Sequence, residues 1–367
     1  MKGDDVIKTV FYLPESKKGD VPYLIAQAVF GFMKLAHDGI LDLTFSKVTD
    51  DLPSSRLCFF ADVNGYRVCY DIHDAIALSA EQTDDLLNRC DFIFKRSYST
   101  SFAQKLKNRD RYFPYGLQYL YFYQNNNLLT RGIAEAFRLI RGKSKRDLLA
   151  EQVKDVDKYW RIRPGQNTDI DILFSARLWD DLSTNAKVPR TGAYDREERN
   201  QERISNLRTL RRAFGSRALC GVSDTPIARR LCPDLILPES YTKRSCYRKL
   251  VQRSKVCVST TGLSQSIGVN FSEFISAGKA IVSSPLYYGV LGDLEPGKNY
   301  LPFTNSDELI AHCETLLSDE RERRLMELNN EYYYMRYVRP DVQVLNHLLK
   351  IFEYERRFPN KSRVATL

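Results

Sequence analysis

The sequence lacks the long apolar runs that cross a membrane. A membrane-spanning helix needs roughly 18 or more uninterrupted apolar residues, and the nearest stretch, Tyr23–Ala36, is interrupted by Gln27, Gly31 and Lys34. The opening segment "MKGDDVIKTVFYLPESKKGD" mixes acids with bases and has no apolar core of the kind found in secretory signals. We therefore expect a cytoplasmic protein.

The sequence has no CxxC pair and no cysteine clustered with histidines, which is the pattern that zinc sites use. Its eight cysteines are spread along the chain, mostly in apolar strand or helix contexts. They are Cys58, Cys69, Cys90, Cys220, Cys232, Cys246, Cys257 and Cys313. We predict that they are reduced core residues, with neither a disulfide framework nor a metal site.

Charge of one sign is in only modest excess, since 55 Lys and Arg residues stand against 46 Asp and Glu residues, a net charge of +9. This excess favours an anionic partner, and nucleic acid, nucleotide phosphates and an acidic membrane surface all qualify. No RNP-like, helix-turn-helix or zinc-finger pattern supports nucleic-acid binding. The basic run Arg138–Arg146 is interpreted as a solvated helix face, with contact to an anionic membrane as the alternative.

The length of 367 residues favours two domains, because one domain usually has roughly 100–200 residues. Strands and helices alternate in both halves, which is typical of α/β domains with largely parallel sheets. The turn "RPGQNTD" (Arg163–Asp169) interrupts a helical stretch and marks a boundary. We predict an N-terminal domain over 1–125, a helical linker region over 126–168, a C-terminal domain over 169–338 and a last helical segment over 339–367.

Two local patterns in the second half give further predictions. The segment "LILPE" (Leu235–Glu239) has the composition of a short strand. Farther along, Ser306 stands where it could cap a helix whose apolar face is formed by Leu309, Cys313 and Leu316.

The stretch Val256–Pro285 reads as a buried strand, a loop of small residues, a short helix, a glycine stop at Gly278 and a second buried strand. A parallel strand that turns into a helix leaves unpaired N–H groups at the carboxyl edge of the sheet, where the helix dipole favours a phosphate. The small residues Ser266 and Gly268 would let the backbone approach such a ligand. Glu273, about one turn into the helix, could accept hydrogen bonds from a ribose diol, and we expect its carboxylate to be exposed in a cleft.

The segment "SEFISAGKAIVSS" resembles the "EAMACGKPVV"-like segment of the glycosyltransferase group-1 family. Other weak matches stand in the family's order. The first half has His73-Asp74, Asp91, Ser97 and Pro114-Tyr115-Gly116, and the second half has Ala176-Arg177 in "ILFSARLWD". The run "LSDERERRLMELNNEYYYMRY" is similar to the family's usual ending. The resemblance covers about Tyr66–Tyr119 and Asp171–Tyr337. It implies the GT-B fold, in which two Rossmann-like domains with parallel sheets face each other across an interdomain cleft and the last helix returns to the N-terminal domain.

The resemblance also implies roles for particular residues. Arg177 matches the family's pyrophosphate-binding arginine, and Lys243, Lys187 or Arg190 could assist it. His73 matches an active-site histidine, and an inverting reaction would need a general base, for which His73, Asp74 or Asp71 are candidates.

One departure concerns the retaining members of the family, which carry two glutamates eight positions apart. Glu273 matches the later of the two, and the position eight residues before it is Gln265. This leaves the donor and the stereochemistry open and brings the spore-protein-like branch of the family into view.

The leading hypothesis is thus a glycosyltransferase that moves a sugar from a UDP- or GDP-linked donor to a glycan or lipid-linked acceptor, with His73 and Asp74 catalytic. Arg177, Lys243, Gln265, Ser266, Gly268 and Glu273 would bind the nucleotide sugar. The DxD in "TDID" (Thr168–Asp171) precedes a strand rather than following one, so we expect no metal and no other cofactor. A nucleotide-sugar epimerase of the same fold and a basic nucleic-acid-binding protein are the alternatives.

Overall fold

A computed structural model describes residues 6–13, 22–47, 58–118, 168–180 and 190–359. The chain forms two compact units. The first takes its described residues from Met1–Trp160, Tyr288–Gly292 and Met335–Leu367, and the second from Arg161–Tyr287 and Asp293–Tyr334. Almost all of the predicted linker over 126–168, the basic run Arg138–Arg146 and Lys187 lie outside the described residues.

The first unit contains a six-stranded sheet with the order β2-β1-β3-β4-β5-β6. Its strands are β1 (Ile7–Leu13), β2 (Leu41–Lys47), β3 (Cys58–Val63), β4 (Tyr66–Asp71), β5 (Phe92–Lys95) and β6 (Tyr112–Pro114). The β1–β2, β4–β5 and β5–β6 pairs are parallel, whereas β3 is antiparallel to both of its neighbours. The sheet is therefore mixed: three of its pairs are parallel, as predicted, and the two pairs that involve β3 are antiparallel.

The antiparallel β3 has a local cause in the sequence. It is joined to β4 by the two residues Asn64 and Gly65, which both have positive φ, at 48° and 83°. Asn-Gly with this backbone favours a tight two-residue hairpin, because its twist matches that of the two flanking strands.

Helices cover both faces of this sheet. They are α1 (Pro22–His37), α2 (Ala80–Leu87), α3 (Thr100–Ala103) and, after a π-helical turn at Tyr334–Val338, the last helix α11 (Pro340–Arg357), with a 3₁₀ turn at Arg109–Arg111. One face buries the stacked rings of Phe11, Phe59, Tyr70 and Phe94 beneath α1 and α11. α1 approaches α11 closely at Gly31, where a Cβ would lie 2.2 Å from the carbonyl oxygen of Pro340.

The second unit contains a five-stranded sheet with the order β11-β10-β9-β7-β8, and every pair in it is parallel. Its strands are β7 (Ile170–Ala176), β8 (Ala218–Val222), β9 (Ser254–Ser259), β10 (Ala280–Ser283) and β11 (Leu301–Pro302). Its helices are α4 (Arg190–Phe214), α5 (Pro226–Leu231), α6 (Glu239–Thr242), α7 (Arg244–Arg253), α8 (Val269–Ser276), α9 (Ser306–Ser318) and α10 (Glu320–Tyr333), with 3₁₀ turns at Gly215–Arg217, Pro233–Leu235 and Leu263–Gln265. The predicted α/β class, with two largely parallel sheets, is confirmed.

The predicted stop of α8 at Gly278 is confirmed by its geometry. Gly278 has a φ of 56°, and its N–H donates to the carbonyl of Ile275 while that of Lys279 donates to the carbonyl of Phe274. These two bonds satisfy the last carbonyls of the helix, an arrangement in which glycine is favoured because it adopts positive φ without strain.

Two predictions for local structure in this unit are wrong. Leu235–Glu239 is not a strand: a 3₁₀ turn occupies Pro233–Leu235, α6 begins at Glu239, and the extended residues between them make a single bridge from Ile236 to Val222. α9 is capped by Asn305 rather than Ser306, because the Asn305 side chain accepts the N–H of Glu308 and Ser306 is already helical.

The apolar face predicted for α9 is confirmed, since Leu309, Cys313 and Leu316 are all fully buried. Among the residues that the structure describes, no helix combines the length and the apolar character needed to cross a membrane.

Candidate functional site

Four side chains meet at one edge of the first sheet and form what we term the His73 cluster: Cys58, Asp71, His73 and Lys95. β4 and β5 are parallel, so Asp71 and Lys95, at their carboxyl ends, lie at the same edge. β3 runs the other way and begins there with Cys58, which is paired with Asp71 in the sheet. The cluster therefore depends on strand pairing between residues far apart in the sequence.

Asp71 is the centre of this cluster. Its Oδ1 atom accepts hydrogen bonds from the backbone N–H of His73 at 3.0 Å, from His73 Nδ1 at 2.8 Å and from Lys95 Nζ at 3.0 Å. Lys95 is only 2% exposed and also donates to the carbonyl of His73 at 3.1 Å. Burial raises the pKa of Asp71, but the bonds from His73 and the charge of Lys95 outweigh it and hold that pKa below its usual value.

The same contacts make His73 a cation. The hydrogen bond to Asp71 and the nearby Cys58 thiol outweigh burial and raise the pKa of His73 from 6.5 to about 9. At neutral pH its imidazolium ring thus donates through Nδ1 to Asp71. A charged imidazole cannot accept a proton, so this geometry suits stabilisation of negative charge better than general-base chemistry.

Asp74, the second predicted catalytic residue, lies one residue beyond His73 and makes separate contacts. Its carboxylate forms an ion pair with Arg96, and its carbonyl accepts the hydroxyl of Ser97 at 2.6 Å. A small pocket beside the cluster is lined by Asp71 and Lys95, by Leu78 from the segment before α2, by Phe102 on α3 and by Tyr112 on β6.

Folding brings Cys58 next to Asp71 and His73, a contact between a cysteine and a histidine that is not visible as a sequence motif. Their donor atoms lie within 4.8 Å of one another, close enough to hold a metal ion. However, the buried ammonium of Lys95 already supplies the positive charge that Asp71 requires. We interpret the cluster as a charge network, and the expectation of a metal-free protein stays a prediction.

We expect an NMR titration to detect the two opposite histidine environments of this unit. The chain has four histidines, and the rings of His73 and His347 differ most. Burial lowers the pKa of His347 to about 4, against the opposing effect of its hydrogen bond to the Tyr115 carbonyl. One ring should titrate near pH 9 and another near pH 4.

The variant Asp71→Asn tests whether the titration near pH 9 belongs to His73. Removing the carboxylate should return the pKa of His73 toward the ordinary value of about 6.5, whereas the titration near pH 4 should not move. A His73 ring that titrates below pH 7 in the unaltered protein would contradict the described geometry.

The second predicted site surrounds the loop from Thr260 to Gly268, which follows β9 at the carboxyl edge of the second sheet. The loop is held by its own polar groups: the N–H of Gly262 donates to the carbonyl of Ser266 at 2.7 Å, and the N–H of Thr261 donates to Ser284 Oγ at 3.1 Å. Ser266 is buried as part of this arrangement.

Backbone strain is concentrated in the middle of that loop. Ser264 and Gln265 have positive φ values of 54° and 59°, a region that residues other than glycine rarely occupy. Such strain persists only where surrounding contacts enforce it, and it clusters at functional sites. Gln265, the residue at the position of the family's other glutamate, is exposed here.

The two glycines of the loop are explained by the loop itself. A Cβ on Gly262 would lie 2.6 Å from Ser266 Oγ, and one on Gly268 would lie 2.5 Å from Asn270 Oδ1 and 2.9 Å from the carbonyl of Thr260. Both glycines are therefore required by close packing within the protein. Gly268 also stands immediately before α8, and its carbonyl accepts the N–H of Phe271 in the first turn of that helix.

Glu273 differs from its prediction in one respect. It lies on α8 as expected, but it is 3% exposed rather than open to solvent. The cause is that every residue from Phe271 to Ser276 is buried, so this short helix has no solvent face at that point. Any role for its carboxylate must be fulfilled within a closely packed environment.

The two predicted basic residues also lie at the carboxyl edge. Arg177 directly follows β7, and its side chain is 72% exposed, with Asp180 3.9 Å away. Lys243 directly precedes α7. Because α7 ends where β9 begins, at the amino edge of the sheet, the helix begins toward the carboxyl edge. Its side chain is 60% exposed and lies 3.3 Å from Glu239.

Arg203 on α4 is a contributor that sequence analysis missed. Its guanidinium donates to the carbonyl of Arg177 at 2.6 Å, to Thr260 Oγ1 at 3.2 Å and to the carbonyl of Thr261 at 3.1 Å. It therefore ties the segment after β7 to the loop after β9. Burial lowers the pKa of Arg203 to about 10, which still leaves it charged at neutral pH.

A sequence signal for this contact existed. Arg196, Arg199 and Arg203 follow one another at spacings of three and four, which places them on one face of α4. Arg196 and Arg203 lie over the ring of Trp179 at 5.5 and 5.9 Å, so an aromatic side chain after β7 supports the same face.

The DxD of Thr168–Asp171 lies at the opposite, amino end of β7. Asp169 forms an ion pair with Arg253, and Asp171 pairs with Arg217 at 2.7 Å and Lys255 at 2.8 Å. Both carboxylates are thus neutralised by neighbouring side chains, away from the edge that carries the other predicted residues.

No protein-family model and no curated protein sequence matches the chain. Among solved structures, the chain is similar to Anabaena HepE in complex with UDP and glucose, at 11% identity over 93% of this chain and 98% of that one, with a TM-score of 0.39. The C-terminal domain of the glycosyl transferase group 1 family protein LpcC from Francisella tularensis matches at 11% identity over 48% of this chain and 95% of its own, with a TM-score of 0.31. A putative UDP-N-acetylglucosamine 2-epimerase from Listeria monocytogenes matches at 12% identity over 77% of this chain and 63% of its own, with a TM-score of 0.34. One of these three proteins, LpcC, therefore belongs to the family that the sequence motifs resemble.

Proposed function

We propose that the protein is a glycosyltransferase that transfers a sugar from a nucleotide-sugar donor to a glycan or lipid-linked acceptor without a metal ion. The observation that carries the proposal is the carboxyl edge of the second sheet. Arg177, Lys243 and the beginning of α8 at Gly268 lie along this one edge. Two basic side chains and the beginning of a helix are groups of the kind that bind a diphosphate.

The proposal assigns a specific task to each group. The N–H groups at the beginning of α8 and the exposed Arg177 bind the diphosphate, and Glu273 accepts hydrogen bonds from the ribose. Arg203 is a positioning residue, because it holds the carbonyl of Arg177 and the Thr260–Thr261 backbone in one arrangement. Departure of the diphosphate leaves negative charge that fixed cations stabilise without a metal ion.

His73 has a matching role in the first unit. Its imidazolium charge, maintained by Asp71, can stabilise negative charge that develops during transfer. Asp74 is engaged with Arg96, and we assign it to holding the segment that carries His73. The donor is a UDP- or GDP-linked sugar in this proposal.

Replacing Glu273 tests the nucleotide site. Glu273→Ala should weaken binding of UDP or GDP by about 10-fold to 150-fold, since it removes charge-assisted hydrogen bonds of roughly 1.5–3 kcal/mol. Glu273→Gln should lose less, because its amide oxygen still accepts one bond. Isothermal titration calorimetry of both diphosphates against the three proteins measures the difference.

Two controls accompany that titration. Glu314→Ala removes an exposed glutamate from α9 and should leave the affinity unchanged. Because Glu273 is buried, thermal unfolding of each variant must show that the protein is folded at the titration temperature. Equal affinities in folded unaltered protein, Glu273→Gln and Glu273→Ala would refute the ribose assignment.

A further inference from the structure

Cys58 has surroundings that distinguish it from the other cysteines. Its sulfur lies 4.0 Å from His73 Nδ1, so it is next to the imidazolium ring. Cys58 and Cys69 lie on the same face of neighbouring antiparallel strands, since Cys58 is paired with Asp71 and Phe60 with Cys69. Cys58 is half-buried, whereas Cys69 and Cys90 are buried.

Cys69 is the neighbouring thiol with the opposite pKa shift. Its interactions with Cys58 and Cys90, together with burial, raise its pKa well above the usual value, so Cys69 keeps its proton. The interaction with Cys69 and the neighbouring His73 outweigh burial and lower the pKa of Cys58 to about 6.

Other charged and titratable groups around Cys58 also affect the stability of its thiolate. The Asp71 carboxylate opposes a thiolate, but its charge is offset by Lys95 and His73. Burial, with smaller contributions from the nearby Asp71 and Cys69, raises the pKa of Tyr112 on β6, so this residue is neutral. The Asp74–Arg96 pair at the same edge carries no net charge. Two cations thus face two anions, with the thiolate as the second anion.

We propose that Cys58 is a covalent modification site that undergoes thiol–disulfide exchange with a low-molecular-weight disulfide. The Cys58 thiolate attacks one sulfur of the disulfide, a new S–S bond forms, and the old S–S bond breaks. The other half leaves as a thiolate and takes a proton from solvent. The small disulfide is the oxidant, and the product is a mixed disulfide on Cys58 beside His73.

The reaction suits this site because the thiolate, not the thiol, is the nucleophile. At pH 6.5 a thiol with a pKa of about 6 is roughly three-quarters ionised, against about one-hundredth for an ordinary cysteine. The weaker base is also a weaker nucleophile, which offsets roughly tenfold of that advantage. The net expectation is reaction about five- to tenfold faster than for an unperturbed thiol of equal access.

Alkylation with iodoacetamide measures this reactivity independently of any transferase activity. The reduced protein is treated briefly between pH 5 and 9, and peptide mass spectrometry reports the alkylated fraction of each cysteine. The alkylation rate of Cys58 should rise with a midpoint near pH 6. Cys246 is the matched reference, because it is the other half-buried cysteine.

Two substitutions test the cause. Cys69→Ala removes the neighbouring protonated thiol and His73→Gln removes the neighbouring charge, so each should move the midpoint of Cys58 upward toward the ordinary value of about 8.5. Cys246→Ser should leave that midpoint unchanged. These readouts do not depend on the proposed function, so they remain valid if the protein transfers no sugar.

Glutathione disulfide is the probe for the exchange itself. Incubation at pH 7 should give one dithiothreitol-reversible adduct on Cys58, and Cys58→Ser should give none at that peptide. A Cys58 midpoint at pH 8 or above would overturn the proposal. An adduct that forms on Cys246 but not on Cys58 would overturn it as well.

Discussion

Lys95→Met should lower the free energy of unfolding by about 3–5 kcal/mol, which is the usual cost of removing one partner of a buried ion pair. Lys95 is 2% exposed, and its ammonium bonds both Asp71 Oδ1 and the carbonyl of His73. Methionine fills similar space but leaves both acceptors without this donor. Urea unfolding of both proteins at pH 7 measures the difference.

Two controls separate the charge effect from a general effect of substitution. Lys350→Met removes a solvent-exposed partner of Glu353 and should cost no more than about 1 kcal/mol. The double variant Lys95→Met/Asp71→Asn should be less destabilised than Lys95→Met alone, since it also removes the buried carboxylate charge that Lys95 helps to compensate. A loss below about 1 kcal/mol for Lys95→Met would show that the pair is not buried as described.

The sequence predicted well those features that depend on local patterns. The apolar runs that became β7, β9 and β10 are strands of a parallel sheet, as their hydrophobicity indicated; β10 is buried throughout and β7 and β9 are buried over most of their residues. The end of α8 at Gly278 was also predictable, because the left-handed backbone conformation that often follows a helix favours glycine.

The errors arose where a neighbouring signal was not used or tertiary packing decided the outcome. Asn64-Gly65 favours a hairpin and accounts for the antiparallel β3, but strand composition alone did not reveal it. The burial of Glu273 depends on what surrounds α8, and a pattern along the helix contains no information about that.

The His73 cluster illustrates a limit of another kind. His73 was recognisable from its position after a strand and from the family resemblance. Its charge state was not, because the pKa of His73 depends on Asp71 and Cys58, which come from two different strands. Strand register fixes those contacts, so a general-base role could be weighed only after the sheet was known.

His73→Ala should lower kcat for sugar transfer by about 100- to 1000-fold, with little change in KM for the nucleotide sugar. The expected size is that of removing one fixed donor that stabilises charge in a transition state. His37→Ala is the matched control, because this partly exposed histidine also lies beside an aspartate, Asp38, and should have no effect. Initial rates with the diphosphate-linked sugar whose nucleotide binds in calorimetry provide the measurement.

The pH dependence of kcat distinguishes a cation from a base at His73. If the imidazolium form is required, kcat should be level from about pH 6.5 to 8 and should fall as the pH rises through about 9, where His73 loses its proton. Asp71→Asn lowers that pKa, so its decline in kcat should begin about two pH units earlier. A general base would give the opposite profile, with kcat rising as the pH passes the pKa of the ring. A rising profile that His73→Ala abolishes would therefore reject charge stabilisation and restore the base assignment.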